Sequence, residues 1–595
     1  MAPFTTRPEL SGTFGAVSTT HWLGTGVGMS VLERGGNAFD AAAACGFVLQ
    51  IVEPHLNGPG GEVPIILQAA GQDAPIVICG QGVAPGLATV DRFRELGLAM
   101  VPGTGLLPGV VPGAFDAWML MLRDYGTWHL EDVLSYAIGY AERGFPLIER
   151  AVSSIVPVAD LFRQSWTSSA EVWLPANRIP RPGALMTTPG IAQTYRRIID
   201  EAKASSADRI AQIEAARNAF YRGFVAEAID RFYRTASLPD TSGRDNPGLL
   251  RGDDLAAWSA TVEETTSCTY GGLEVHKTGP WGQGPVMLQQ LKMLECFDLP
   301  ALDPLGAEFV HLQVECAKLA FADREAFYGD PQASDIPMET LLSTAYANER
   351  VKLVGAQASM ELRASHLPDA ARRLAAIAAR GGSEVPMGPG GGEVTFAPVP
   401  EIEGDTVHLD IMDRLGNAVS ATPSGGWLQS SPVVPGLGFP LSTRAQMFWL
   451  DDDLPSTLRP GTRPRTTLTP TLITREGRPC LAIGTPGGDQ QDQWPLTVLL
   501  RHLHHGYALQ RAIDAPMFHS RHWPGSFYPR EYELGSLLIE DRFAPHVQAD
   551  LQARGHLLNV QGAWSLGRVC AVSRDGDLLG AAATPRHMQG YALAR

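Results

Sequence analysis

The sequence lacks the features that mark several large classes of protein. Basic residues are not in excess, because 47 lysines and arginines stand against 63 acidic residues, for a formal net charge of -16. A nucleic-acid-binding protein would carry a basic patch, so we expect no such partner. No apolar run reaches the roughly 18 residues that a membrane helix needs. The opening MAPFTTRPEL also has no secretory pattern, and we expect a cytoplasmic protein without a membrane partner.

Metal-ligand and cofactor motifs are also missing. The seven cysteines are scattered without a Cys-x-x-Cys pair, which predicts buried free thiols rather than disulfides. The sequence contains no Walker A motif. Two histidine clusters do not follow the His-Glu-x-x-His pattern of zinc enzymes, and they comprise His502, His504, His505, His519 and His522. We therefore expect neither a metal nor a cofactor.

The composition is that of an ordinary globular protein, with 44% hydrophobic and 18% charged residues. Helical patterns come first along the chain and strand patterns follow. Gly35, Gly36 and Asn37 separate two helical patterns, as a helix end followed by a turn requires. A buried strand is predicted over residues 63–67. A long helix is predicted from Phe309 until glycine and proline stop it at about residue 330.

The composition of the chain changes towards residue 400. Residues 381–405 are dense in glycine and proline, which predicts an exposed, mobile linker. After it, apolar and polar residues alternate from Val407 to Met412, the period of a half-buried strand, and AVSAT reads as its returning partner. The segments TLITREGRPCLAIG and VCAVSRDGDLLGAAA repeat this strand–turn–strand form. The chain is thus predicted to be α+β, with helices concentrated in its N-terminal two thirds and strands in its C-terminal third.

Thr406, at the junction of linker and strand, is a candidate nucleophile. A threonine hydroxyl is weakly nucleophilic and needs a base within hydrogen-bond reach. Cleavage of the bond before Thr406 would free its own α-amine, whose ordinary pKa of about 7.7–8.0 suits that task. The pattern alone also fits any threonine that follows a linker.

Two later segments carry further polar chemistry. Gly487 and Gly488 follow the strand CLAIG, where glycines let backbone N–H groups approach a ligand closely. Two such donors would form an oxyanion hole, and an ordinary tight turn is the alternative. The segment RTTLTP places Thr466 and Thr467 near the start of another strand, where threonine is common for structural reasons alone.

Taken together, these segments resemble the γ-glutamyltransferase family of N-terminal-nucleophile hydrolases. The resemblance rests on segments in the same order along nearly the whole chain, namely ERGGNAFDAAAACGFVLQIVEPHLNGPGG, LLPGVVPGAFDAW, GQGPVMLQQLKMLECFDL, KLAFADREAFYGDP, GDTVHLDIMDRLGNAVSAT, RPRTTLTPTLI and GTPGGDQQDQW. It implies a four-layer αββα sandwich and autocatalytic cleavage. The product would be a heterodimer of a large subunit, residues 1–405, and a small subunit, residues 406–595.

Catalytic roles follow from the resemblance by position. Thr406 would be nucleophile and base, and Ser424 stands where the family has a threonine that contacts the freed amine. Gly487 and Gly488 would supply the oxyanion hole. The acyl-enzyme would then pass to water or to an amine acceptor.

The substrate positions depart from the family pattern. Thr466 and Thr467 replace two serines that hold the substrate carboxylate, which keeps the hydroxyls. Gln81 replaces an arginine that grips the glutamyl α-carboxylate, and Gln446 replaces an aspartate that binds the α-ammonium. Neutral hydrogen bonds are weaker than charge-assisted ones, so both anchors are weakened. Arg444 would serve as a substitute carboxylate clamp, or as a structural arginine.

The family resemblance therefore implies a γ-glutamyl-type amide as substrate, with open alternatives. One keeps the chemistry and changes the substrate, to a small carboxylate amide as in oxamate amidohydrolase or to the substrate of a cephalosporin acylase-like enzyme. Another is a non-catalytic relative that stays a single 63.9 kDa chain and acts as a binding protein.

Overall fold

Two seven-stranded antiparallel sheets form the centre of the molecule in the computed structural model, which describes residues 4–380, 406–588 and 590–595. Sheet 1 contains, in spatial order, the strands Tyr591–Ala594, Gly15–Thr19, Leu409–Asp413, Ala418–Ala421, Val63–Gln68, Ile76–Gly80 and Thr261–Glu264. Sheet 2 contains Leu10–Gly12, Leu578–Ala583, Cys570–Asp575, Arg478–Gly484, Thr471–Arg475, Leu273–Lys277 and Thr266–Tyr270. Smaller sheets are formed by Phe518–Ser520, Ser536–Glu540 and Leu557–Gln561, by Phe145–Pro146 and Leu185–Met186, and by Ser237–Pro239 and Asp245–Pro247.

The helices lie mostly before residue 381, as predicted. The helices of this part are Trp22–Glu33, Ala38–Val52, Val90–Glu95, Ala114–Tyr125, Leu130–Arg143, Glu149–Ile155, Ala159–Gln164, Thr167–Trp173, Pro189–Ser205, Arg209–Tyr221, Phe224–Thr235, Gly252–Ala257, Pro285–Leu294, Ala307–Phe327, Met338–Leu341, Thr344–Arg350 and Ala370–Ala378. Those after residue 405 are Trp494–His505, Leu509–Asp514 and Pro545–Ala553. Within the described ranges, no helix combines the length and apolarity needed to cross a bilayer.

The layers stack in the order helix, sheet 1, sheet 2, helix. One apolar core joins the outer face of sheet 1, including Leu409 and Ile411, to helices such as Ala38–Val52. A second core lies between the sheets. A third joins the outer face of sheet 2 to helices such as Ala307–Phe327. This is the predicted αββα sandwich, and both sheets take strands from both sides of residue 405.

The strand Leu409–Asp413, here called the central strand, corrects one expectation. The alternation of its side chains predicted a half-buried strand, but all five residues are buried. The cause is the four-layer stack, in which one face meets helices and the other meets sheet 2. The polar side chain at the end of this strand is paired inside the protein, since Asp413 Oδ2 accepts from Asn417 Nδ2 at 2.7 Å.

The other sequence-based boundaries agree closely with the structure. The helices Trp22–Glu33 and Ala38–Val52 flank the predicted break, and Asn37 forms a capping box with Asp40. The strand predicted over residues 63–67 is Val63–Gln68. The predicted linker, residues 381–405, lies outside the described residues.

Candidate active site

Thr406 lies three residues before the central strand, and its hydroxyl faces Gly487, which follows the strand Arg478–Gly484 of sheet 2. Thr406 is fully buried and forms an isolated antiparallel β-bridge with Ser424. Next to it, the N–H of Val407 donates to the carbonyl of Pro423 at 3.0 Å. The Thr406 hydroxyl is 3.3 Å from Ser424 Oγ and 3.4 Å from the carbonyl oxygen of Gly487. The structure therefore brings together three of the residues predicted to act in catalysis.

Ser424 Oγ also contacts a buried ion pair. Arg444 Nη2 donates to Ser424 Oγ at 2.9 Å, and Arg444 Nε donates to Glu62 Oε1. Arg444 and Glu62 are both fully buried, and the guanidinium carbon lies 5.1 Å from the centre of the Trp427 ring. Arg444 thus reaches the site, but its charge is already balanced by a carboxylate of the protein.

The glycine loop presents an unexpected arrangement. Gly487 has φ +123° and directs its carbonyl oxygen, rather than an N–H, towards the Thr406 hydroxyl. That carbonyl also accepts from Gln491 Nε2, and Gly488 N–H donates to Gln490 Oε1 at 3.1 Å. The Gly488 donor therefore becomes available to an oxyanion only when the Gln490 side chain turns away.

Gly487 should not tolerate a side chain. A Cβ there would lie 3.3 Å from the Trp494 ring at a φ that L-residues rarely adopt, which costs about 1–3 kcal/mol. Because relaxation would move the loop beside Thr406, we expect Gly487→Ala to lower kcat by about tenfold or more on the fastest amide substrate. Gly506→Ala is the control, since φ is +62° but nothing lies within 4 Å of its Cβ. Equal kcat in both variants would contradict a role for this loop.

Thr466 and Thr467 have different surroundings. Thr466 is built into the backbone network, because its carbonyl accepts from Gln283 N at 3.0 Å and its hydroxyl accepts from Leu468 N at 3.3 Å. Gln283 also donates to the carbonyl of Gly488 at 3.4 Å, which links this segment to the glycine loop. The buried Thr467 hydroxyl has no hydrogen-bond partner among the described residues, so it remains available for a ligand.

Among the described contacts, the two substituted glutamines bind residues other than Thr406. Gln446 Nε2 donates to the carbonyl of Gly103 at 3.2 Å, and Gln446 Oε1 accepts from Tyr528 N at 3.1 Å. Gln446 therefore ties loops together. Gln81 lines a cavity of about 420 Å³ with Arg463, and Thr406 is not one of the lining residues.

Several residues around the site were missed by sequence reasoning. Glu62 ends the glycine turn NGPGGE, but nothing local identifies its partner 382 positions away. Gln490 and Gln491 stand in the segment GGDQQDQW, whose polarity was visible while its contacts were not. Gln283 stands in the segment GQGPVMLQQLKMLECFDL, but the resemblance gave this residue no role.

A four-layer αββα sandwich with this strand and loop arrangement defines the class of N-terminal-nucleophile amidohydrolases. The Gamma-glutamyltranspeptidase family model matches residues 24–594, and the chain belongs to this family. It is 30% identical to the Glutathione hydrolase-like YwrD proenzyme of Bacillus subtilis, with 97% of each chain covered. It is 28% identical to the Oxamate amidohydrolase proenzyme of Klebsiella pneumoniae, covering 96% of this chain and 97% of the relative. The solved structure of LmbA2991HD is 51% identical with a TM-score of 0.91, covering 100% of both chains.

Proposed function

We propose that the protein is a self-processing amidohydrolase whose nucleophile is Thr406. The observation that carries this proposal is the buried threonine three residues before the central strand, with its hydroxyl facing Ser424 and the Gly487 loop. An enzyme of this class needs a hydroxyl, a nearby base and oxyanion donors at one point. The hydroxyl lies at this point, and cleavage before Thr406 would supply the base. The Gly488 N–H would serve as an oxyanion donor once the Gln490 side chain turns away.

The proposed reaction has two steps, which form and then hydrolyse an acyl-enzyme. The freed amine of Thr406 takes the proton from Oγ1 as this oxygen attacks the amide carbonyl, and the proton passes to the leaving amine as the C–N bond breaks. The Gly487–Gly488 loop holds the oxyanion. Water, activated by the same amine, cleaves the ester to release the acid and restore the hydroxyl.

The two fragments, residues 1–405 and 406–595, form the proposed heterodimer. The central strand pairs with Gly15–Thr19, and Thr471–Arg475 pairs with Leu273–Lys277, so each sheet contains strands of both fragments. Separation would expose the core between them, which is costly in water. The fragments should therefore stay together after cleavage. The word proenzyme in the names of the two curated relatives supports the same processing.

For the substrate we propose a small amide that carries a carboxylate but no α-ammonium group. The position expected to bind the ammonium holds Gln446, whose amide is engaged by the protein backbone. An ammonium placed there would lose hydration without gaining an anionic partner. One relative is named as an oxamate amidohydrolase and another as glutathione hydrolase-like, so the missing anionic partner at Gln446, rather than the names, carries this proposal.

A set of matched amides tests the substrate proposal. Glutaryl-, γ-glutamyl- and pentanoyl-p-nitroanilide share a five-carbon acyl chain and differ in the carboxylate and the amine, while oxamate and oxamide differ in the carboxylate alone. We expect a carboxylate amide without an amine to have the highest kcat/KM. The expected margin is about tenfold or more over its uncharged match and over the γ-glutamyl compound, as one charge-assisted bond allows. Fastest hydrolysis of the γ-glutamyl compound would instead establish the family's substrate.

A further inference from the structure

A cavity at the edge of sheet 1, here called the Gln81 cavity, has no part in the chemistry proposed for Thr406. Its volume is about 420 Å³, and it is lined by Cys79 and Thr261, which are paired in the last two strands of the sheet. Other lining residues are Gln81, Val83, Asp253, Asp254, Trp258 and Arg463. Small-molecule sites typically measure about 300–1,000 Å³, so the cavity has the size of a site for a small ligand.

The Gln81 cavity and Thr406 lie at separate points along one row of residues in sheet 1. Thr406 pairs with Ser424, which pairs with Glu62. The register of the next strand pair continues this row to Gln81. Neighbouring strands are about 4.8 Å apart, which puts the backbone of Gln81 about 14 Å from that of Thr406. Thr406 is not among the residues that line the cavity, so a small molecule bound there would leave its hydroxyl free.

The Gln81 side chain supplies a free hydrogen-bond acceptor to this lining. Gln81 is 1% exposed, and its Nε2 donates to the carbonyl of Gly82 at 3.4 Å. Because a carbonyl only accepts, this contact identifies the other amide atom as the oxygen. Gln81 Oε1 has no hydrogen-bond partner among the described residues. A buried acceptor is normally satisfied by protein, water or a ligand, and a ligand that satisfies it must be a donor.

Arg463 does not make the cavity a site for anions. It is the one basic side chain among the described residues that line the cavity, and all three of its guanidinium nitrogens are engaged. Nε and Nη2 donate to Asp330 Oδ1 at 3.2 and 2.8 Å, and Nη1 donates to Glu263 Oε1 at 2.5 Å. Two carboxylates therefore more than balance this one cation, and an anionic ligand would gain no charged partner from it.

The acidic residues of the lining favour a cation. They are Asp253 and Asp254. The Asp254 carboxylate accepts from the backbone N–H groups of Gly86 and Arg251, at 2.8 Å each, and so is fixed in place. Asp253 is exposed, which leaves its carboxylate open to solvent and to a ligand. Together with the acceptor of Gln81, these charges select a ligand that is both a hydrogen-bond donor and positively charged.

Apolar surface in the lining favours an organic cation over a metal ion. Val83 and Trp258 are partly buried, and the Trp258 ring packs against the Tyr221 ring with centroids 5.5 Å apart. The face of an indole attracts a cation and also covers the apolar part of a ligand. A hard metal ion would instead need about six oxygen ligands.

We propose that the Gln81 cavity binds a small organic amine in its ammonium form. The ammonium donates to Gln81 Oε1, the Asp253 carboxylate balances its charge, and Val83 and Trp258 cover its carbon skeleton. The amine is a second ligand and not the acyl donor. This inference therefore goes beyond the proposed function and does not depend on it.

Calorimetry on the full chain with three matched ligands tests the charge preference. 2-Phenylethylamine, 2-phenylethanol and 3-phenylpropanoate share an aromatic body and differ in the charge of the polar group. We expect the amine to bind about tenfold or more tightly than the alcohol and the acid, as one charge-assisted hydrogen bond allows. No binding of the amine to wild type, or equal binding of the alcohol, would overturn the proposal. Thr406→Ala should bind the amine equally well, whether or not the proposed function holds. Loss of binding in Thr406→Ala would place the amine at the nucleophile and overturn the separate site.

Two substitutions test whether the amine lies in the Gln81 cavity. Gln81→Leu removes the buried acceptor at similar volume and should weaken binding of 2-phenylethylamine by about tenfold or more. Asp253→Asn removes the exposed charge and should weaken binding by about two- to fivefold, the value of an exposed ion pair. Because Asp253 is exposed, this variant reports on binding even if Gln81→Leu fails to fold. Asp132→Asn is the matched control, since Asp132 is also an exposed aspartate in the first turn of a helix but does not line the cavity. Equal affinity in wild type, Gln81→Leu and Asp253→Asn would overturn the site.

Discussion

Thr406→Ala should remain one chain of 63.9 kDa, whereas wild type should separate into two polypeptides under denaturing conditions. The reason is that the Thr406 hydroxyl is the group proposed to attack both the preceding peptide bond and the substrate amide. Removing it should also lower kcat by about 10⁴-fold or more, as for other enzymes that lose a nucleophile. Intact mass and N-terminal sequencing of both proteins make the measurement, and the smaller wild-type fragment should begin Thr-Val-His-Leu.

Two controls distinguish a lost nucleophile from a damaged fold. Thr406→Ser keeps the hydroxyl and should still cleave, although more slowly because a serine side chain has more rotational freedom at χ1. Thr422→Ala removes a nearby buried hydroxyl that contacts His408 Nδ1 at 2.9 Å and should still be processed. Wild type that stays intact and inactive would establish the non-catalytic alternative. A second fragment beginning elsewhere would move the nucleophile to another residue.

Local sequence signals predicted the elements whose ends are set by neighbouring residues. The break between the first two helices was visible because Gly35 takes φ +93° and Asn37 caps the next helix. The alternation after Thr406 identified the central strand but gave the wrong burial. Whether a strand is covered on one face or on both depends on segments hundreds of residues away. The alternation of residues along the strand itself contains no information about those segments.

For the candidate active site, too, the sequence predicted some features and could not predict others. The positions of Thr406, Ser424 and Gly487 follow from the resemblance to the family, and the structure brings them together. The engagement of Arg444 by Glu62 did not follow, because the sequence shows a charge but not its partner. The roles of Thr406 and its neighbours remain predictions until the cleavage experiment is done.

The buried pair of Glu62 and Arg444 should have the largest effect on stability. Arg444→Met leaves the fully buried Glu62 without its cation, and removing one partner of such a pair costs about 3–5 kcal/mol. We expect urea unfolding of the variant to report a loss of that size, against a total stability of only about 5–15 kcal/mol for typical proteins. The double variant Glu62→Gln with Arg444→Met removes both charges and should recover most of the loss. A double variant no more stable than Arg444→Met would contradict the ion-pair explanation.

Among these variants of Glu62 and Arg444, kcat should not change in parallel with the free energy of unfolding, because Arg444 has a second contact. Its Nη2 donates to Ser424 Oγ, which in turn contacts the Thr406 hydroxyl. Both the single and the double variant lose that donor, so both should show kcat lowered by about tenfold, the value of one hydrogen bond of about 1.4 kcal/mol. Glu62→Gln alone keeps the donor and should retain more activity than the double variant, although an unbalanced buried arginine makes it less stable. If kcat instead rises and falls with stability in all three, Arg444 only supports the fold. If it does not, Arg444 positions Ser424 for the reaction.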